Sequence, residues 1–262
     1  MFKSLCVFKG FVIRFVGSLS LDEREAFRYW CIGIIPESKL DGNLSNDGEM
    51  FRLIEFLCND CKLSLNDLSL LRKFLSSVSR FDMLEALERV ELRISVGSIV
   101  EDYIKSVNGF RQGGHVKLAS RYTNIVEFLA TTREGNQELI SSILEVSRQV
   151  NDSSEMLEAM VGAILDSQLS WSTVISSLVI MGELYASFRP VNLAENGYYV
   201  SMFSETRASE CLTVWMLENG GLKAFDELIR KKQRVTSNSA VPSSIEESLR
   251  GIIELLGHRI DI

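Results

Sequence analysis

"WMLENGGLKAFDELI", Trp215 to Ile229, sets two adjacent glycines inside a stretch whose other residues favour helix. A glycine in a helix interior costs about 0.5–1 kcal/mol relative to alanine, so a pair of them there needs a reason. At a helix end the reason is simple, because a left-handed glycine lets the last carbonyls find donors. The stretch therefore reads as one helix closing at Asn219-Gly220-Gly221 and another opening at once. Outward from it, apolar residues recur at helical spacing nearly everywhere, and no pair of alternating runs with a hairpin turn is convincing. The expectation is an all-α protein.

Upstream lies the least charged run of the chain, "SWSTVISSLVIMGELYASF" at 170–188, in which Glu183 is the one charged residue. It is nearly long enough to span a bilayer, but its five serines make it a poor span. A helix buried on all sides by other helices explains it at least as well. The N-terminal "MFKSLCVFKGFVIRFVGSLS" resembles a signal peptide in outline, yet Lys9 and Arg14 interrupt the apolar run, and an amphipathic first helix is expected instead. Asp47 is expected to cap a helix carrying Met50, Phe51, Ile54, Leu57 and Cys58. Ser64 is expected to open one with Leu68, Leu71, Leu75 and Val78 on one side, before a break at Ser79. The Gly-rich "NGFRQGGHVK" at 108–117 is the natural mid-chain loop, and a polar stretch at 231–244 precedes a tail helix that begins with a Ser244/Glu247 capping box.

Composition narrows the function. With 262 residues, 46% of them hydrophobic, and three prolines, the chain is globular and long enough for two compact units. A net charge of −7 argues against a nucleic-acid partner, which needs a basic face to displace counterions from phosphate. Five scattered cysteines suit a reducing, cytoplasmic compartment rather than a disulfide framework. Cys58 and Cys61 form a lone CxxC without a second pair for zinc. His115 and His258 sit in no nucleophile or metal-ligand pattern, and no phosphate-cradling Gly loop occurs, so neither catalysis nor a cofactor is expected.

Two resemblances sharpen this reading. "LSLDEREAFRYWCIGIIPESKLDG", "FRLIEFLCND" and "LSLNDLSLLRKFLSSVSRFDMLEAL" resemble the death effector domain, a six-helix adaptor module, over residues 1–92. The Ile-Pro-Glu-Ser-Lys corner at 35–39 and Arg80-Phe81-Asp82-Met83, with Met83 at the family's leucine, carry the likeness. It implies a surface charge triad of Glu23, Arg80 and Asp82. It also implies a docking patch at Tyr29, with Phe27 and Trp30 closer to the core.

The opening stretch itself resembles the second homology motif of the Bcl-2 family, through Trp215, Asn219, Gly220, Gly221 and Phe225, although Leu222 stands at the family's second tryptophan. Ser170-Trp171-Ser172-Thr173 occupies the place of the first motif; Trp171 matches, while Thr173 stands at the arginine that pairs with the aspartate of bound pro-apoptotic helices. "LASRYTNIVEFL" falls at the third motif, with Leu118, Tyr122, Ile125 and Leu129 as its apolar positions and Glu127 as its acid, although such a stripe equally describes an ordinary core helix. This likeness implies a bundle over 94–232 around the 170–188 helix, with "SIVEDYIKSV" as its first helix and the boundary near Arg93. Residues 233–262 would then be a polar linker and an amphipathic helix too charged to anchor in a membrane. Its apolar face, Ile245, Leu249, Ile252, Ile253 and Leu256, would dock on the bundle, in its groove or on a membrane, the last disfavoured by four acids.

Together the resemblances imply a non-enzymatic, anti-apoptotic regulator, cytoplasmic or peripheral at mitochondria. Its partners would be death effector domains of an adaptor or initiator caspase and pro-apoptotic Bcl-2 relatives. The alternative is a scaffold whose bundle no longer takes pro-apoptotic helices and serves dimerisation or autoinhibition.

Overall fold

Phe8, Phe11, Val12, Phe15 and Val16 are spaced to fill one helical face, and all five are buried on α1 (Ser4–Ser18). This is a computed structural model, which describes residues 4–42, 44–60, 62–65, 67–112, 122–149, 153–188, 207–235 and 243–259. Among them there are twelve α-helices and no strand. The chain divides into two compact units, residues 1–94 and 95–262.

In the first unit α2 (Leu21–Cys31) opens on a capping box, Ser20 Oγ accepting from the Glu23 amide and Glu23 Oε2 from the Ser20 amide at 2.7 Å. After Pro36 the chain makes a single 3₁₀ turn at Glu37–Lys39, so the first unit holds five α-helical segments plus this turn rather than six full helices. Helices α3 (Asp47–Asn59), α4 (Ser69–Ser77) and α5 (Phe81–Gln112) follow. Phe15, Phe27 and Phe74, all fully buried, meet edge to face with centroids 4.8–6.1 Å apart.

Several expected boundaries move. Asn46, not Asp47, caps α3 by accepting from the Gly48 amide, because the Asp47 carboxylate is taken by Arg24. Ser64 does not open a helix: it pairs with Asp67 in a tight turn, and Asp67 Oδ1 accepts from the Ser69 amide, so α4 begins five residues later. Ser79 breaks the chain as expected, with φ at 57°. The division between the two units falls at Ile94/Ser95, within a continuous helix: α5 runs through it without a break, and Leu92, Ile94, Val96, Ile99 and Val100 along it are all buried. Helix α5 also enters the expected loop as far as Gln112, while residues 113–121, including Leu118 and His115, lie outside the described residues.

The second unit adds α6 (Thr123–Glu134), α7 (Gln137–Gln149), α8 (Ser153–Asp166), α9 (Trp171–Phe188), α10 (Arg207–Glu218), α11 (Gly221–Val235) and α12 (Ser243–Arg259). Every residue of α9 from Thr173 to Leu184 is buried, with α6, α7, α8 and α12 packed against it. Gly182 lets the buried Tyr103 ring lie against the α9 backbone; a β-carbon there would run into the ring. Among the described residues no helix is long and apolar enough to cross a membrane.

Candidate functional site

In the first unit the fold brings Glu23, Arg80 and Asp82 together. Arg80 donates from Nε and Nη2 to the two oxygens of Asp82, both at 2.9 Å, and from Nη1 to Glu23 at 3.2 Å. The same Nη1 donates to the Ser18 carbonyl at 3.0 Å. This bidentate grip on Asp82 holds its carboxyl down at about 2. Partial burial pulls the Glu23 carboxyl up, but bonds from the Ser20 amide, Arg80 and the Ser20 hydroxyl outweigh it and keep it below the usual range. Exposed pairs of this kind stabilise by only ~0–1 kcal/mol, so the triad shapes a surface more than it holds the fold. Phe81 and Leu21, each next or near in sequence to a triad member, are 71% and 60% exposed. Tyr29 is 67% exposed, whereas Trp30 leans on Phe74 at 6.4 Å and Phe27 is fully buried.

Beneath the triad lies a residue that the sequence reading missed. Arg24, buried on α2, donates to the carbonyls of Val16, Leu19 and Leu44 at 3.0–3.2 Å and to Asp47 at 2.6 Å. With Ser18 Oγ on the Phe15 carbonyl, Arg24 and Arg80 thus supply donors to the carbonyls that α1 leaves open at its end. A signal was present: Arg24 stands on the same stripe as Phe27 and Cys31, where a charge has to find partners.

In the second unit Trp171, Trp215 and Phe225 meet. The Trp171 ring stacks on Phe225, centroids 5.1 Å apart and planes 9° apart, and meets Trp215 edge-on at 5.1 Å. The start of α9 is thereby fastened to the α10–α11 corner. At that corner Gly220 and Gly221 have φ of 90° and 63°, and the Asn219 amide and side chain both donate to the Trp215 carbonyl. Thr173 faces inward, donating from Oγ1 to the Gln168 carbonyl at 2.7 Å, while Ser170 Oγ caps its amide. Its position offers no exposed polar group to a partner.

On α6, Ile125, Val126 and Leu129 are fully buried, Glu127 is exposed, and Tyr122 stands just before the first turn. Near the end of this helix is a second missed pair. Arg133 Nε donates to Glu183 Oε1 at 2.6 Å, and the buried Tyr103 hydroxyl reaches the same oxygen at 3.3 Å. Glu183 is fully buried, so the single acid of the 170–188 run is held in the bundle by a cation fifty residues upstream. Helix α12 lies along α9, α8 and α7 with Ile245, Leu249, Ile252 and Leu256 buried. Ser176 Oγ donates to the Ile245 carbonyl and Arg259 reaches Asp166 at 2.5 Å. The expected capping box is not formed at Ser244, which lies inside the helix and accepts from Ser172 Oγ at 3.1 Å. No group of three or more His, Cys, Asp or Glu side chains suited to a metal occurs among the described residues.

No family model, no curated protein and no solved structure matches the chain.

Proposed function

We propose that the chain is a non-enzymatic, anti-apoptotic regulator that joins a death-effector-like unit to a Bcl-2-like bundle. The observation that carries the reading is Arg80 clasped between Glu23 and Asp82, with Phe81 and Leu21, their near neighbours in sequence, exposed, as is Tyr29 further along α2. Glu23 meets Arg80, the partner of Asp82, from fifty-seven residues away in sequence, and exposed Phe81 stands between Arg80 and Asp82 in the chain. Such a mixture suits recognition of another helical domain: the apolar groups supply area and the fixed charges supply register. A unit of this kind would compete with other death effector domains for assembly sites, which suits an inhibitory sign. Trp171, Trp215 and Phe225 support the Bcl-2-like half, since they close the corner that the second motif implies. Action in the cytoplasm, with peripheral contact at mitochondria, follows from the two partner classes.

The test is a pull-down of death effector domains of the adaptor and the initiator caspase by the full chain and by Arg80→Glu. Wild-type capture that the variant loses is the expected result. Equal capture by both, or none by the wild type, refutes the reading.

A second reading is favoured by α12 and Thr173. The apolar face of α7, α8 and α9 is already covered by Ile245, Leu249, Ile252 and Leu256, and the first-motif position holds a buried threonine instead of a cation. On this reading the bundle is a scaffold that takes no pro-apoptotic helix. Titration with a panel of such peptides separates the two: no affinity tighter than ~10 μM, about −7 kcal/mol, selects the scaffold.

A further inference from the structure

Helix α11 turns a basic face outward. Phe225 and Ile229 are fully buried and Lys232 is half-buried, so this stripe lies against the bundle. An α-helix advances about 100° per residue, which puts Lys223, Glu227, Arg230, Lys231 and Arg234 together on the opposite side, within an arc of about 100°. Lys223, Glu227, Arg230 and Lys231 are exposed there, and Arg234 follows by register. Asp226 holds Arg230 from the flank at 2.9 Å, a surface pair that gives way easily. Lys223 and Lys231 have no ion-pair partner among the described residues. The stretch from Leu228 to Ile245 carries Arg230, Lys231, Lys232 and Arg234 and no acid, in a chain of net charge −7.

Cations at the end of a helix complement its dipole, but that effect fades within the last turn, and Lys223 and Arg230 lie before it. A protein partner is held chiefly by apolar and aromatic anchors, and none of the exposed large apolar side chains lies on α11. A single-stranded nucleic acid stacks its bases on aromatic platforms, which this arc also lacks. What remains is a face that asks only for negative charge. We infer that the outer face of α11 is an electrostatic docking surface for the anionic phospholipid headgroups of a membrane. The contact is peripheral, because the apolar stripe of α11 is occupied by the bundle and nothing is left to insert. It goes beyond the protein partners proposed above and needs neither of them. Four cations less one acid leave three net charges on the arc; each cation near an anionic surface raises binding about fivefold, so the arc is worth about a hundredfold.

The test is co-sedimentation of the full chain with vesicles of phosphatidylcholine containing phosphatidylserine, and with vesicles of phosphatidylcholine alone. At low salt the chain is expected to bind the anionic vesicles about a hundredfold more tightly than the neutral ones. It should leave them at high salt, where screening shortens the reach of the charges to a few ångströms. Arg230→Gln, Lys231→Gln and Arg234→Gln together should bring binding down to the level of neutral vesicles, with circular dichroism checking that the helices persist. Glu227→Gln removes the single acid of the arc and should strengthen binding about fivefold. That gain should be restricted to anionic vesicles, which misfolding does not imitate. Lys9→Gln with Arg14→Gln, two exposed cations on α1, should change nothing. Equal binding to both kinds of vesicle, binding to neither, loss in the α1 variant instead of the α11 variant, or tighter capture of an oligonucleotide than of anionic vesicles overturns the inference. Each of these results leaves the proposed protein partners to the pull-down and the peptide titration.

Discussion

Replacing Arg24 by methionine keeps much of the aliphatic volume of a buried side chain and removes every donor at once. Three carbonyls lose their partner, on residues Val16, Leu19 and Leu44, which are 0%, 5% and 4% exposed. A stranded buried acceptor costs about 1–3 kcal/mol. Asp47 adds little, because its side chain is 56% exposed and remains hydrated when the arginine leaves. Against this, the variant no longer has to desolvate a guanidinium, which returns part of the loss. The net expectation is about 2–4 kcal/mol, a large share of the ~5–15 kcal/mol that a domain has in total.

Because the chain has two units, a single melting curve is not the right assay. Amide hydrogen exchange read by mass spectrometry assigns the change to segments. Peptides from α1 to α4 should lose protection equivalent to ~2–4 kcal/mol, while peptides from α9 serve as the internal standard. Asp47→Asn, which removes only the exposed partner, should cost under ~1 kcal/mol. If Arg24→Met costs no more than Asp47→Asn, water has replaced the arginine at those carbonyls, and the claim that Arg24 ties the end of α1 to α3 is wrong.

The remaining predictions concern the triad and the hub. Asp82 has a folded value depressed to about 2, so its contribution is fully present above the unfolded value of roughly 3.9 and is lost as pH falls toward 2; carboxyl carbon NMR should place its midpoint there, and in Arg80→Gln back near the ordinary range. Gly182→Ala should destabilise the second unit by about 1–3 kcal/mol, because the added methyl meets the buried Tyr103 ring rather than open space; unchanged exchange protection in α9 would show that the ring can yield.

How much of this was legible in the sequence differs by kind of contact. The Gly220-Gly221 corner and the buried run of α9 were readable because each is local: a glycine pair ends a helix, and a run with one charge needs cover on all sides. The length of α5 was not, since both "RFDMLEALERVEL" and "SIVEDYIKSV" are good helices and nothing between them says whether they fuse. Only the burial of Leu92, Ile94 and Val96 decides that, and burial depends on the rest of the fold. The Asp47 cap failed for a related reason. Asn46 and Asp47 are nearly equal as caps in isolation, and Arg24, twenty-three residues away, breaks the tie by claiming the aspartate.

Periodicity, then, says which face of a helix is covered but not what covers it. Charged residues on a covered face carry the missing information, because each must find a counter-group or several polar partners within the fold. Arg24 on the Phe27–Cys31 stripe and Glu183 inside the 170–188 run are such residues, and both tie together elements that no local pattern connects: α1 and α3 to α2, and α6 to α9. Arg24 collects three carbonyls and a carboxylate, and Glu183 takes donors from the Arg133 Nε and the Tyr103 hydroxyl. A charge on a covered face therefore marks a junction of the fold, because no single element can satisfy it alone.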